Sequence, residues 1–412
     1  MKAEIITIGN ELLEGRVIDT NSAVIARWLS DAGIEVARRI TVGDKTGDII
    51  SALHEAGKDS SLIVVAGGLG PTIDDVTMEA ASEALNAPLV RSSAVENQIR
   101  EFYNALELQV SKEALKQAYI LEGAHILRNP VGTAPGVVFR KGDWLYMFFP
   151  GVPRELDALL GEAGQYVLEM KGTKETIAHT SLKTFGTGET QLQKLIPKDI
   201  LASGNPSLAF LPGRWEVEVR LTAKGSNEEE ARNLVKKAAD RLYAHIGDYI
   251  YGEDDDTLEL VVIRKLKENG LTLGIAESCS GGWLSSRLVS IPGSSEVYRG
   301  SIIAYTTKIK EKILGMPPQI IARRGTVSAE AAEAMAECAA ERLAVDVGLS
   351  ITGNAGPTAG DPWESVGQVY TAVAFRDRAK PTASVGRKIN RPRNDVRYIA
   401  TSMALDLLRR NL

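Results

Sequence analysis

The chain has 412 residues, with 48 lysines and arginines against 53 acids and a formal charge of −5. Hydrophobic residues make up 44% and charged residues 25%, which suits two or three packed domains and excludes disordered or collagen-like chains. The acidic balance counts against a protein whose main business is gripping bare nucleic acid.

Two cysteines, Cys279 and Cys338, exclude a disulfide scaffold and suit a reducing compartment. The opening MKAEIITIGNELL is too short and too polar for a signal peptide. No run approaches the ~18 apolar residues of a membrane helix. A cytoplasmic protein with no membrane partner is expected.

Residues 3–170 alternate strand-like and helix-like segments. Glu4–Ile8, Ile34–Val42 and Leu62–Ala66 read as strands, with helices at Asn21–Ala32 and near Asp48–Ala56. Strands follow near 136–149 and a helix at Pro153–Met170. This order predicts a mainly parallel sheet covered on both faces. The pattern changes at Lys171-Gly172-Thr173. A strand near 177–186, a short helix near 188–196, the alternating segment 214–223 and a helix at 227–245 predict a small α+β module. The acidic tract Glu253–Asp256 reads as a linker and helix start. Alternation returns over 257–412, with strands at Leu271–Ala276, Val347–Thr352 and Val366–Phe375. A last helix begins near Asn394, capped by Asn394 or Asp395.

In the first domain, Gly67-Gly68-Leu69-Gly70-Pro71 follows a strand. Such a turn cradles a phosphate through backbone N–H groups, although any tight strand-to-helix turn needs glycine. Asp74 and Asp75 follow it. Thr72-x-x-Asp75 fits a capping box, and acids complement a helix start. Two carboxylates beside a phosphate loop also make sense if a divalent cation bridges them to phosphate. Glu11 and Asp19 lie after the first strand, and loops at strand ends of a parallel sheet face one crevice, so these acids are candidates to join Asp74 and Asp75 as metal ligands. The middle module offers Gly186-Thr187-Gly188-Glu189, glycines with an acid where a nucleic-acid-gripping loop wants basic flanks, so a spacer or dimerisation role is favoured.

In the third domain, Glu277-Ser278-Cys279-Ser280-Gly281-Gly282 sits between a strand and a helix, where a small side chain is exposed at a sheet top. Ser278, Cys279 and Ser280 compete as nucleophile, against the plainer reading of cap or packing residues. All four histidines (His54, His125, His179, His245) precede this domain, so a lysine is the natural base. The segment AYTTKIKEKILG supplies Tyr305, Lys308, Lys310 and Lys312 after a strand; Lys308 and Lys312 also fit a solvated face. Backbone N–H groups near Cys279–Gly281 are the candidate oxyanion donors. Cys338 lies on the apolar face of an alanine-rich helix and reads as core.

The segments GNELLEGRVIDTNS, GGLGPTIDDVT, NPVGTAPG and FPGVPRE resemble the amino-terminal domain of the CinA (competence/damage-inducible) family, itself similar to MoaB/MogA-type molybdopterin-binding proteins. AESCSGG, AYTTKIK, TGNAGPTAG and VGQVY resemble its carboxy-terminal domain, similar to nicotinamide mononucleotide (NMN) deamidases. The resemblance implies a multi-domain α/β chain. Its parts are a MoaB/MogA-like domain over 1–170, a small α+β KH-like connector over 171–252, and an α/β CinA amidase domain over 253–412. It implies a metal-dependent ADP-ribose pyrophosphatase in the first domain, with magnesium, manganese or cobalt undistinguished. There Gly67, Gly68, Gly70, Asp74 and Asp75 carry over as phosphate and metal contacts. Glu11, Asn21, Lys116, Gly151 and Glu155 carry over as pocket residues, Lys116 against the reading of a solvated lysine.

In the third domain the resemblance implies a serine–lysine dyad without a cofactor. Ser278 is the nucleophile, with Lys310 and Tyr305 beside it. This chain has Ser280 for the family's Thr and Thr306-Thr307 for Ser-Asn. Gly353, Asn354, Ala355, Gly356 and the later glycine Gly360, with Arg393 or Arg397, are candidate holders of the NMN phosphate. The arginines also read as solvated or paired with Asp395. A homodimer is implied. Two alternatives belong to other classes: a pterin- or nucleotide-binding protein with silent heads, and a competence or DNA-repair partner.

Overall fold

The computed structural model describes residues 1–58, 60–172, 176–358, 365–377 and 380–412. Thr173 and Gly360 lie outside these. The chain forms two compact units, Met1–Ala178 with Lys224–Ala231, and His179–Ala223 with Arg232–Leu412.

The first unit is built on a six-stranded sheet ordered β2-β1-β3-β8-β7-β6. Its strands are β1 Lys2–Ile8, β2 Glu35–Val42, β3 Leu62–Ala66, β6 His125–Leu127, β7 Gly136–Lys141 and β8 Trp144–Phe149. β4 Leu89–Arg91 and β5 Tyr119–Leu121 pair separately. β2, β1, β3 and β8 are parallel, and β7 and β6 add antiparallel edges, so the sheet is mixed rather than mainly parallel to its end. Strand alternation divides the core. Ile6, Ile8, Ile63 and Val65 pack with Ile49 and Leu53 of the helix Thr46–Ala56. Ala3, Ile5, Leu62 and Val64 pack with Ile25 and Leu29 of the helix Asn21–Asp31 and with Leu156 and Leu159 of the helix Pro153–Lys171. Both faces are covered, as expected of a central strand such as β3, whose every residue is apolar.

In the second unit the α+β module has a sheet ordered β10-β11-β9-β12: β9 Thr176–Phe185, β10 Ser207–Pro212, β11 Glu216–Gly225 and β12 Ile250–Glu253. Val217, Val219 and Leu221 are buried on one face of β11. A five-stranded sheet follows, ordered β14-β13-β15-β16-β17: β13 Leu273–Glu277, β14 Tyr298–Ile303, β15 Val347–Gly353, β16 Gln368–Phe375 and β17 Ala383–Lys388. β14, β13 and β15 are parallel; β16 and β17 are antiparallel. The alanine-rich helix Ala329–Arg342 lies so close to β15 that a Cβ at Gly348 would stand 1.9 Å from the Ala336 carbonyl oxygen. The last helix spans Arg393–Asn411 with Pro392 at its cap and no side-chain cap bond. Asp395 pairs instead with Arg214, at 2.6 Å. Among the described residues no helix is long and apolar enough to cross a membrane.

Candidate functional site

Because β13, β14 and β15 run parallel, the loops after Glu277, Ile303 and Gly353 leave one end of the sheet together. They enclose a cleft of about 390 Å³ lined by Ser278, Cys279, Tyr305, Lys310, Gly353, Asn354, Ala355, Gly356 and Arg393, with Thr326 and Thr352 at its wall. Lys310 Nζ lies 2.9 Å from Ser278 Oγ, 2.8 Å from the Ala304 carbonyl oxygen and 3.4 Å from that of Tyr305. Only 2% of Lys310 is exposed, whereas Lys308 and Lys312 are exposed. A free amine donates to two carbonyls and keeps its lone pair for the serine proton, so this geometry accommodates a base. Thr306 caps the short turn carrying Lys310, its Oγ1 accepting from the Ile309 amide at 3.4 Å.

The three nucleophile candidates separate by environment. Burial pushes the Cys279 thiol up to about 11, which keeps it protonated. Ser280 is fully buried and its Oγ has no hydrogen-bond partner. Ser278 alone of the three has its side chain against the lysine.

The turn itself depends on a residue that sequence reading passed over. Glu277 is fully buried. Its carboxylate accepts from the amides of Gly282 (2.9 Å), Leu284 (3.2 Å) and Ser285 (2.9 Å), and from Ser285 Oγ (2.5 Å). It thereby satisfies the open end of the helix Trp283–Val289. The acid one residue before a strand-to-helix turn was the available signal.

The two arginines part. Arg393 reaches the cleft, donating to Tyr305 Oη at 3.3 Å and to the Gly356 carbonyl. Arg397 does not line it. Its Nε donates to the Cys279 carbonyl (3.2 Å) and its Nη2 to that of Ser280 (2.9 Å). The Gly356 amide is taken by Asn354 Oδ1 at 2.9 Å.

In the first unit, the loops after β1, β2, β3 and β8 line a cleft of about 510 Å³ that includes Glu11, Asp44, Gly67, Gly68, Gly70, Asp74, Asp75, Gly151 and Glu155. Asp44 and Gln117 are additions; the strand-end argument that selected Glu11 applies equally to Asp44, which follows β2. Three expected residues sit elsewhere. Asp19 is spent structurally, accepting from Thr7 Oγ1 and the Ser22 amide, each at 2.9 Å. Asn21 Nδ2 ties to the Gly151 carbonyl at 2.7 Å. Lys116, its side chain 32% exposed, does not line this cleft; it donates to the Asp75 carbonyl (2.5 Å) and pairs with Glu79 (3.1 Å).

The glycines are demanded by sterics. Gly67 (φ +117) and Gly68 (φ +66) would carry a Cβ 2.3 Å from the Ile8 carbonyl oxygen and 2.1 Å from Thr77 Oγ1. Thr72 does bond Asp75 Oδ2, through N (2.8 Å) and Oγ1 (2.6 Å), yet the helix starts at Thr77. The motif therefore closes a loop instead of capping a helix. Burial raises the Glu155 carboxyl, against a 2.7 Å bond from Asn129 Nδ2 that lowers it. Among the described residues no three His, Cys, Asp or Glu side chains gather as a metal cage. An open set of acids in one cleft still fits a hard cation that takes one or two carboxylates and completes its shell on substrate phosphate.

Three family models match the chain: a "probable molybdopterin binding domain" over 4–170, the "damage-inducible protein CinA KH domain" over 179–252, and the "CinA C-terminal domain" over 255–412. The chain is similar to the CinA-like protein of Dictyoglomus thermophilum, 37% identical over 414 residues with 100% of this chain and 99% of that one covered. It is similar to the CinA-like protein of Kosmotoga olearia, 37% identical over 412 residues at the same coverages. The solved structure of the protein CinA from Thermoplasma acidophilum, of unknown function, is 35% identical and covers 40% of this chain and 99% of its own, with a TM-score of 0.39. With full-length relatives at this identity, the chain belongs to the CinA family.

Proposed function

We propose that the protein is a two-headed hydrolase of pyridine nucleotides, with an NMN deamidase in its third domain. The observation that carries this reading is the buried Lys310 Nζ at 2.9 Å from Ser278 Oγ. Lys310, acting as the free amine, takes the Ser278 proton while Oγ attacks the carboxamide carbon. The amide of Cys279, the turn residue that lines the cleft beside Ser278, receives the developing oxyanion, a contribution often worth ~3 kcal/mol per donor. The C–N bond breaks, ammonia leaves with the proton carried by Lys310, and an acyl-serine remains. Water, deprotonated by Lys310, cleaves that ester to nicotinic acid mononucleotide and restores Ser278. Tyr305 and Arg393 border the cleft where the nucleotide's ribose and phosphate would extend.

The first head, in this reading, hydrolyses ADP-ribose to AMP and ribose 5-phosphate. Asp74 and Asp75 would hold a divalent cation that neutralises pyrophosphate charge. Glu11 and Glu155 line the same cleft and would orient the sugar hydroxyls. A binding role for this head is the second reading, favoured by the absence of a three-acid cage among the described residues. Product analysis tests both. Formation of AMP and ribose 5-phosphate with added metal, lost in Asp75→Asn, supports hydrolysis; saturable binding without products supports the second reading.

A further inference from the structure

Charge holds the nucleophile turn from two sides. Glu277 takes the amides beyond the turn, and Arg397 takes the carbonyls within it. The Arg397 guanidinium is committed on all three nitrogens, with Nη1 on Asn394 Oδ1 at 3.3 Å, and it lies 5.2 Å from the Trp283 ring centroid. A trans peptide is planar, so the Cys279 carbonyl and the Ser280 N–H point in opposite directions. By fixing and polarising that carbonyl, Arg397 sets where the Ser280 N–H points and makes it a stronger donor. The Cys279 N–H is set from within the turn that Arg397 holds, because the Ser278 carbonyl accepts from the Gly281 amide at 3.1 Å. Neither N–H donates to another described residue.

We infer that Arg397 is a positioning residue that holds the carbonyls of the nucleophile turn, and through them the turn's shape at the reacting centre, and that it is not a phosphate ligand. The inference rests on the proposed deamidase reading. It predicts a dependence on the reacting centre and none on the phosphate.

The test is steady-state ammonia release by the full-length protein, using NMN and its dephosphorylated analogue, nicotinamide riboside. Arg397→Gln is expected to lower kcat on NMN about tenfold or more. KM for NMN should stay within about twofold, and the riboside rate should fall by the same factor. Arg397→Lys, which keeps the charge but reaches fewer carbonyls, is expected to recover part of kcat; it is read in the same way if Arg397→Gln does not fold. A rise in KM for NMN with kcat and riboside turnover unchanged would assign Arg397 to the phosphate and overturn the inference. An unchanged kcat and KM would overturn it also. Ser278→Ala run alongside separates this failure from failure of the deamidase reading, since wild type then releases no more ammonia than Ser278→Ala.

Discussion

Three adjacent small residues, Ser278, Cys279 and Ser280, look alike in sequence, and only their surroundings divide them. The fold turns Ser278 toward a buried amine, leaves Ser280 Oγ without a partner, and buries the Cys279 thiol until it holds its proton. The same holds for Lys308, Lys310 and Lys312: alternate spacing offers three bases, and burial selects the middle one. The absence of histidine from the third domain was legible; which lysine replaces it was supplied by family resemblance, because burial is a property of the fold. Glu155 gives a test at this scale. Its carboxyl is raised by burial, so the folded state binds its proton more readily than the unfolded chain does. Stability therefore falls as pH rises from about 4 through the raised value, and the penalty is fully present above it. Glu155→Gln keeps an acceptor for Asn129 and removes the charge. Thermal unfolding near pH 7 should be at least as high as wild type, with a flatter dependence on the acid side. A variant less stable near pH 7 with the wild-type pH slope would show that burial does not penalise this carboxylate.

At the scale of elements, the central strands β1, β3, β13 and β15 were legible because each is a short, mostly apolar run that leads into a glycine-bearing turn. β10 was missed: Ser207–Pro212 is largely exposed and ends in proline, so it lacks the pattern of a buried strand. The Thr72–Asp75 pair was misread because a side-chain-to-backbone bond of that spacing closes a loop as well as it caps a helix. The GGLG turn cautions against function by motif, since backbone contacts forbid a Cβ at Gly67 whether or not phosphate binds. Glu277 is the element-scale keystone of the third domain. Glu277→Ala leaves three amides of the turn and helix start without their acceptor, two of them in part-buried surroundings. It should cost about 3 kcal/mol or more in denaturant unfolding. A cost within about 0.5 kcal/mol, the range of ordinary surface changes, would mean that water replaces the carboxylate and the turn needs no internal anchor.

For the whole molecule, the order of three sequence signatures matched the three family models, because each change of periodicity coincides with a change of sheet. Parallel β14-β13-β15 and β1-β3-β8 each gather their loops at one end, which is why residues far apart in sequence line two clefts. What sequence could not place were side chains spent on local structure, such as Asp19 on Thr7 and the Ser22 amide, and Lys116 on the Asp75 carbonyl and Glu79. In the proposed reading the two heads use different chemistry, so a chelator should separate them. EDTA is expected to abolish ADP-ribose cleavage and leave ammonia release from NMN unchanged; loss of both activities would contradict a metal-free serine–lysine amidase.

The central claim is that Ser278 and Lys310 hydrolyse an amide. The most direct measurement is ammonia release from saturating NMN in the presence of EDTA, for wild type, Ser278→Ala and Lys310→Met, each verified as folded by its thermal transition. The account predicts turnover by wild type and loss of at least about a thousandfold in each variant. Wild-type turnover that survives in either folded variant would contradict the dyad, and a wild type that releases no ammonia would contradict the deamidase itself.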